Sequence, residues 1–81
     1  MELFQLRSFH EVASSGSFSR AAENLCITQP ALSRQIITLE KTVGMSLFNR
    51  HNRGVNLTDA GRRLYEYAED VLKLLDGAQD T

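Results

Sequence analysis

Residues 28–41 concentrate hydrogen-bonding side chains on one side of a predicted helix. Apolar residues recur along this segment at helical spacing, so one face is expected to be buried. The other face carries Pro30, Ser33, Arg34, Thr38 and Lys41. A helix that buries one side and presents short polar groups with an arginine on the other has the shape and chemistry to contact base edges in a DNA major groove.

Two helices are predicted before this segment, and they must position it. The first spans residues 2–14, where apolar residues repeat at steps of three and four, and Gly16 is its expected left-handed end. Ser17 caps a second helix of two turns, whose apolar face is Phe18, Ala21, Ala22 and Leu25. Cys26 and Ile27 form the turn that follows, with Cys26 predicted to be a small buried residue between the helices.

The third helix and the segments after it complete the predicted fold. Thr28 caps the third helix, and Pro30 falls in its first turn, where a missing N–H has no cost. The helix buries one face and ends at Gly44. Two short apolar strands with a turn at residues 51–54 follow, and a final helix capped by Thr58 runs to about residue 76. The fold class is mostly α: a winged helix-turn-helix with a two-stranded wing and a long C-terminal helix.

Charge is unevenly distributed along the chain. The formal net charge of −1 argues by itself against a nucleic-acid partner. Residues 28–63, however, carry six basic and two acidic side chains, a local charge of +4, whereas residues 66–81 carry −4. The basic half of the chain can therefore attract phosphates although the whole is weakly acidic.

The final helix has an apolar seam with two possible uses. Leu64, Ala68, Val71, Leu75 and Ala78 repeat at steps of four and three, a heptad-like pattern. Tyr65 and Leu72 flank the seam on one side, and Tyr67 and Leu74 on the other. The helix could fold back onto the first helix, or it could pair with the same helix of a second copy. We favour the dimer because an exposed apolar stripe of this width usually marks an interface. The residues predicted to form that interface are Leu64, Tyr67, Ala68, Val71, Leu74 and Leu75.

An ordered set of residues across positions 1–65 resembles the N-terminal DNA-binding domain of LysR-type transcriptional regulators. The matching segments are Gly16-Ser17-Phe18, Ala21-Ala22, Thr28-Gln29-Pro30-Ala31-Leu32-Ser33-Arg34-Gln35-Ile36, Leu39-Glu40, Leu47-Phe48, Leu57-Thr58 and Ala60-Gly61. The resemblance implies a winged helix-turn-helix over residues 1–57 and a linker helix over residues 58–81 that pairs two copies. It also implies an effector-binding domain beyond this chain. Ile37, Asn49 and Gly77 depart from the family's usual residues or from good helix propensity.

Several residues are predicted to contact DNA. The start of the recognition helix points into the groove in helix-turn-helix docking, so Gln29 could pair with adenine while Pro30 and Ala31 contact a thymine methyl. Arg34 could bind guanine or clamp a phosphate, and the resemblance places Arg53 in the minor groove. The full predicted set is Thr28, Gln29, Pro30, Ala31, Ser33, Arg34, Thr38, Arg53, Arg20 and Arg50.

Alternatives remain open for some of these side chains. Arg50 could pair inward and support the wing, and Arg62 and Arg63 could contact phosphates or only face solvent. The polar face as a whole could be a solvated surface. A winged helix can also dock onto another protein, a use that often lacks a basic recognition face.

The remaining expectations concern enzymatic activity, cofactors, cellular location and binding partners. One cysteine and two scattered histidines make neither a metal site nor a catalytic centre, so we expect no enzyme, no metal and no cofactor in this segment. The lone cysteine fits a reducing cytoplasm, and no apolar run is long enough to span a membrane. The expected partners are double-stranded promoter DNA with an inverted repeat and a second copy of the chain. The resemblance adds a small-molecule inducer for the absent domain and a tetramer for the full-length protein.

Overall fold

The computed structural model describes residues 1–51 and 54–79. Within these residues, four helices accompany a two-stranded antiparallel sheet, so the predicted mostly α winged helix-turn-helix is confirmed. The register of the sheet pairs Phe48 with Leu57 and His51 with Gly54. In chain order the elements are α1 (Leu3–Ser15), α2 (Phe18–Leu25), α3 (Gln29–Val43), β1 (Phe48–His51), β2 (Gly54–Leu57) and α4 (Asp59–Gln79).

The predicted helix ends are confirmed. Gly16 and Gly44 adopt the left-handed conformation after α1 and α3, with φ of 69° and 74°. Ser17 Oγ accepts a hydrogen bond from the N–H of Arg20 at 3.1 Å, which caps α2. Thr28 Oγ1 accepts from the N–H of Ala31 at 3.2 Å, which caps α3. Only α4 is longer than predicted, because it continues to Gln79.

Cys26 does not lie where the sequence placed it. It ends α2 in the left-handed conformation, with φ of 59°, and it is exposed rather than buried. The reason is the sharp turn between α2 and α3, which requires a residue with positive φ at this position. A non-glycine residue there costs roughly 1–2 kcal/mol, and its side chain stays outside the core formed by the helix pair.

Packing beneath α3 sets its orientation. Leu32, Ile36 and Leu39 are completely buried, and α3 packs on both α1 and α2. Burying a leucine or isoleucine side chain contributes about 1.5–3 kcal/mol, so the three together hold this face inward strongly. The aromatic ring of Phe48 lies 5.3 Å from that of Phe9 and 6.0 Å from that of Phe18, which attaches the wing to the same core.

A tight junction joins the end of α3, the start of β1 and the start of α4. Glu40 Oε2 accepts a hydrogen bond from the N–H of Leu47 at 2.7 Å. The carbonyl of Leu47 accepts from the N–H of Thr58 at 3.0 Å, and the Thr58 hydroxyl donates to the carbonyl of Ser46 at 2.7 Å. Gly61 completes the junction, because a Cβ built there would lie 2.2 Å from the carbonyl oxygen of Leu47.

One face of α4 folds back onto α1. Ala68 and Leu72 are buried, and Ala68 belongs to the main hydrophobic core. His10 Nε2 lies 2.7 Å from Glu69 Oε1, and the imidazole stacks on the Tyr65 ring at 4.9 Å between centroids. Ser14 Oγ and the Tyr65 hydroxyl share a hydrogen bond of 3.0 Å. These contacts fix the direction in which α4 leaves the domain.

Two Gly→Ala substitutions in α4 are expected to have opposite effects. Gly61→Ala places a methyl group against backbone, so we expect it to lower the free energy of unfolding by about 1–3 kcal/mol. A methyl group added at Gly77 would have no atom within 4 Å, so Gly77→Ala is expected to raise the free energy of unfolding by up to about 1 kcal/mol through helix propensity. Urea denaturation measures the free energy of unfolding of both variants. If both substitutions changed it in the same direction, the close approach at Gly61 would be contradicted.

Glu69 is expected to make stability depend on pH. Hydrogen bonds from His10, and secondly from Tyr65, hold the pKa of Glu69 below its ordinary value. Such a carboxylate stabilises the fold above the unfolded-state pKa of about 4.3, and the stabilisation is lost as the pH falls through the lower folded-state pKa. Glu69→Gln should therefore be less stable than the wild type at pH 7 and equal to it in strong acid.

The control for this comparison is Glu66→Gln, an exposed glutamate on the same helix. Thermal unfolding across the pH range measures both variants. A deficit of Glu69→Gln that persists unchanged at low pH would show that the ionised carboxylate is not the source of the stabilisation.

Candidate nucleic-acid interface

The exposed face of α3 contains the residues that the sequence assigned to it. Gln29, Pro30, Arg34 and Thr38 are exposed, as is Lys41 further along the helix. Ala31 and Ser33 are partly buried at its margin. Because Leu32 and Ile36 are fully buried on the opposite side, the predicted orientation of the helix is confirmed.

The N-terminus of α3 is accessible and adds a favourable electrostatic term. Thr28 is exposed, and its hydroxyl satisfies only the N–H of Ala31, leaving the first N–H group of the helix without an intrahelical partner. The helix dipole places partial positive charge at the same point. Such a helix start can stabilise an anion, for example a backbone phosphate, and the DNA contact expected of Thr28 stays a prediction.

A contact between α2 and α3 was not visible in the sequence. The Ser19 hydroxyl donates a hydrogen bond to Gln29 Oε1 at 3.0 Å, and both residues are exposed. Ser19 was absent from the predicted site because ten positions separate the two residues and no local pattern links them. The geometry attaches the first side chain of the recognition helix to the helix before it.

Basic side chains surround this face unevenly. Arg20 is exposed on α2, near its N-terminus. The Arg50 guanidinium lies 4.9 Å from the centre of the Phe18 ring, a cation–π contact that agrees with the inward alternative for this residue although it remains exposed. Arg62 pairs with Asp59 at 3.1 Å, so part of its charge is already compensated. Arg53, predicted for the minor groove, lies outside the described residues.

The predicted dimer surface divides into two faces. Tyr67 is 70%, Val71 39% and Leu74 75% exposed, so these three form a continuous apolar surface on α4. Ala68 is completely buried within the chain, so it offers no surface to a second copy and that part of the prediction is wrong. The reason is the contact with α1, which takes the Ala68 side of the seam. Leu64 and Leu75 are partly buried between the two faces.

An open apolar groove adjoins the exposed face of α4. Its volume is about 220 Å³, and it lies where the end of α3 meets the start of α4. The groove is lined by Val43, Met45, Leu47, Ala60, Arg63, Leu64 and Tyr67. It continues the apolar surface of Tyr67 toward the helix-turn-helix.

Neither a metal-binding cluster nor a membrane-spanning helix occurs in the described part of the chain. Among residues 1–51 and 54–79, no three histidine, cysteine, aspartate or glutamate side chains cluster closely enough to hold a metal ion. The helices of the same residues are too short or too polar to cross a membrane.

The amino-acid sequence is similar to that of one family of bacterial regulators. Residues 3–62 match the model of bacterial regulatory helix-turn-helix proteins of the lysR family. The chain is 53% identical over 78 residues to the transcriptional regulator BudR of Klebsiella aerogenes and 49% identical over 74 residues to a probable RuBisCO transcriptional regulator of Trieres chinensis. These matches cover 96% and 91% of the chain but only 54% and 24% of the relatives, so the chain spans about a quarter to a half of their length.

Solved structures of similar domains include complexes with DNA. The BenM DBD bound to catB site 1 DNA superposes with a TM-score of 0.94 at 44% identity, covering 99% of this chain and 89% of that one. The CbnR DBD in complex with DNA superposes with a TM-score of 0.91 at 39% identity, covering 99% and 92%. Both similarities extend through α4 as well as through the helix-turn-helix.

Proposed function

Because the chain belongs to the LysR family of bacterial regulatory helix-turn-helix proteins, we propose that it binds promoter DNA with α3 in the major groove. The observation that carries the proposal is the polarity of α3, with Leu32 and Ile36 completely buried and Arg34 exposed on the opposite face. The similar BenM and CbnR domains have been solved in complex with DNA, which supports DNA as the partner of this domain.

The proposed docking begins at the N-terminus of α3. Gln29, Pro30 and Ala31 meet base edges first, because this end of a recognition helix enters the groove. Ser33, Arg34 and Thr38 follow along the exposed face, with Arg34 able to bind guanine through two hydrogen bonds. Arg20 contacts the backbone from α2, since the first helix of the motif crosses the phosphates.

The wing is proposed to contact the minor groove beside this site. The sheet packs Phe48 into the core, and Gly54 at its outer end lies close to the carbonyl of Gly16, at the end of α1. Arg53 is the proposed minor-groove residue, where narrow A·T tracts concentrate negative potential. This assignment rests on the family resemblance, and Arg50 is proposed to support the wing through its contact with Phe18.

We further propose that two copies bind an inverted repeat. Tyr67, Val71 and Leu74 expose an apolar surface that a second α4 can cover, and burial of such a surface is the main force for association. A two-fold dimer places two recognition helices at half-sites about one helical turn apart. The apolar groove next to Tyr67 extends the same surface and belongs to the proposed interface.

The remaining proposals concern the longer protein. In it, the domain acts as a regulator and not as an enzyme, and it works in the cytoplasm. A separate effector-binding domain senses a small-molecule inducer, and the whole assembles as a tetramer. The family and the transcriptional regulators among the relatives support the regulatory role, and relatives about four times as long as this chain have room for a further domain.

The salt dependence of binding tests the DNA-binding function. Affinity for a DNA site selected from random duplexes should fall linearly on a logarithmic plot as salt rises, because phosphate contacts release counterions. Arg34→Ala should weaken binding to that site by about 1–3 kcal/mol if it contacts a base, with little change on random DNA. Equal losses on both DNAs would make Arg34 a phosphate ligand instead.

The matched control is Arg7→Ala, which removes an arginine that lies on α1 and pairs with Asp76 at 3.7 Å. It should leave the affinity for the selected site within twofold of the wild type. If the wild-type chain binds no duplex at low salt, as expected of a protein-docking module, the proposed function is wrong.

Leu74→Asp tests the dimer. A charge on the exposed apolar surface of α4 is expensive to bury, so the variant should be monomeric by sedimentation equilibrium at concentrations where the wild type is dimeric. Its affinity for an inverted repeat should fall toward its affinity for a single half-site. Leu3→Asp introduces the same change at an exposed position on α1 and should leave the association constant intact. Equal dimerisation of all three proteins would contradict the proposed interface.

A further inference from the structure

Ser19 occupies the second position of α2, and its hydroxyl is committed to one partner. The hydroxyl donates to Gln29 Oε1 at 3.0 Å across the turn of the helix-turn-helix. A serine has only one hydrogen to donate. A phosphate oxygen only accepts hydrogen bonds, so Ser19 cannot donate to a phosphate while it holds Gln29. The hydroxyl can therefore donate either to Gln29 or to a phosphate, and in the structure it donates to Gln29.

The bond has a specific consequence for the glutamine amide. The two polar atoms of the amide leave its planar carbon in different directions, so holding Oε1 toward α2 turns Nε2 away from α2. Among residues 1–51 and 54–79, Gln29 Nε2 donates to no protein acceptor. Its N–H groups are therefore free for an acceptor on a bound molecule, and Oε1 keeps one lone pair for a second bond.

Fixing the amide in advance also has an energetic effect. A glutamine side chain loses rotamer freedom when it becomes ordered, and an unassisted Gln29 would lose that freedom on binding. In the free domain both residues are exposed, so water competes with the bond. At a closed DNA surface water is excluded, and the same hydrogen bond becomes stronger.

We propose that Ser19 is a positioning residue for base recognition, which orients Gln29 so that Nε2 donates to an acceptor on a base edge. The acceptor is a purine N7, a guanine O6 or a thymine O4, since these are the acceptors that the major groove presents at adenine, guanine and thymine. The proposal rests on the proposed function, because it assigns Gln29 to the DNA face. Ser19 itself contacts neither base nor phosphate.

The test compares the sequences that variants select from a pool of random DNA duplexes. The wild-type chain, Gln29→Ala, Ser19→Ala and Ser19→Thr are each taken through selection and sequencing. Gln29→Ala identifies the base positions that Gln29 contacts. Ser19→Ala is expected to lose preference at those same positions by roughly two- to twelvefold and to retain it elsewhere, the range set by one hydrogen bond. Ser19→Thr keeps the hydroxyl and should restore the preference.

A double variant distinguishes positioning from direct contact. If Ser19 acts through Gln29, then Ser19→Ala has no further effect on affinity in the Gln29→Ala background. Ser14→Ala is the matched control, because it also removes an exposed hydroxyl with a 3.0 Å hydrogen bond, but on α1 facing Tyr65. It should leave the selected sequence unchanged.

Three results overturn the proposal. One is a uniform loss of affinity on selected and random DNA that persists in the Gln29→Ala background, which would make Ser19 a phosphate ligand. Another is that Ser19→Ala selects the same sequence as the wild type, whereas Gln29→Ala loses the preference at one or more base positions. A third is failure of Ser19→Thr to restore the preference although it unfolds at the same urea concentration as the wild type. Failure of the proposed function is separate, since the wild-type chain would then enrich no sequence at all.

Discussion

Burial of Leu32, Ile36 and Leu39 against α1 and α2 determines which side of α3 meets solvent, and the proposed function depends on that side. The backbone hydrogen bonds of a helix do not fix its rotation about its own axis, since they are satisfied in every orientation. The apolar stripe supplies this constraint, and Arg34 reaches solvent as a consequence. Thr28, which caps the N-terminus of α3, and Arg20 on α2 are also exposed to solvent.

The second constraint is the junction around Leu47. Its N–H donates to Glu40, which lies on α3 before the wing, and its carbonyl accepts from Thr58, which follows the wing. Gly61 permits α4 to approach this carbonyl more closely than any residue with a Cβ could. The wing and α4 are therefore attached to the end of the recognition helix at the same point, which couples the position of the wing to the direction of α4.

The sequence predicts two alternatives for α4, packing on α1 or pairing with a second copy, and these involve different faces of the helix. Contact with α1 through Ala68, Tyr65 and Glu69 makes the helix part of the domain that carries the DNA face. The remaining apolar surface of Tyr67, Val71 and Leu74 stays exposed, and contiguous exposed apolar surface commonly marks an interaction site. One face of α4 is attached to α1 and the other is exposed. This arrangement suits a helix that sets the spacing of two recognition helices in a dimer. The sequence offered these as alternatives, whereas in the folded chain one part of the seam is buried against α1 and the other part stays exposed.

The elements, their ends and the outward face of α3 follow from local patterns in the amino-acid sequence. Periodic apolar residues, Ser17 and Thr28 as caps, and glycines at helix ends are local signals, because each acts within about one helical turn. The tertiary structure alone decided the partners that lie far apart in the chain: Ser19 with Gln29, Glu40 with Leu47, and His10 with Glu69. It also exposed Cys26 and buried Ala68. These outcomes depend on which elements pack together and at what angle, and no pattern within a single element contains that information.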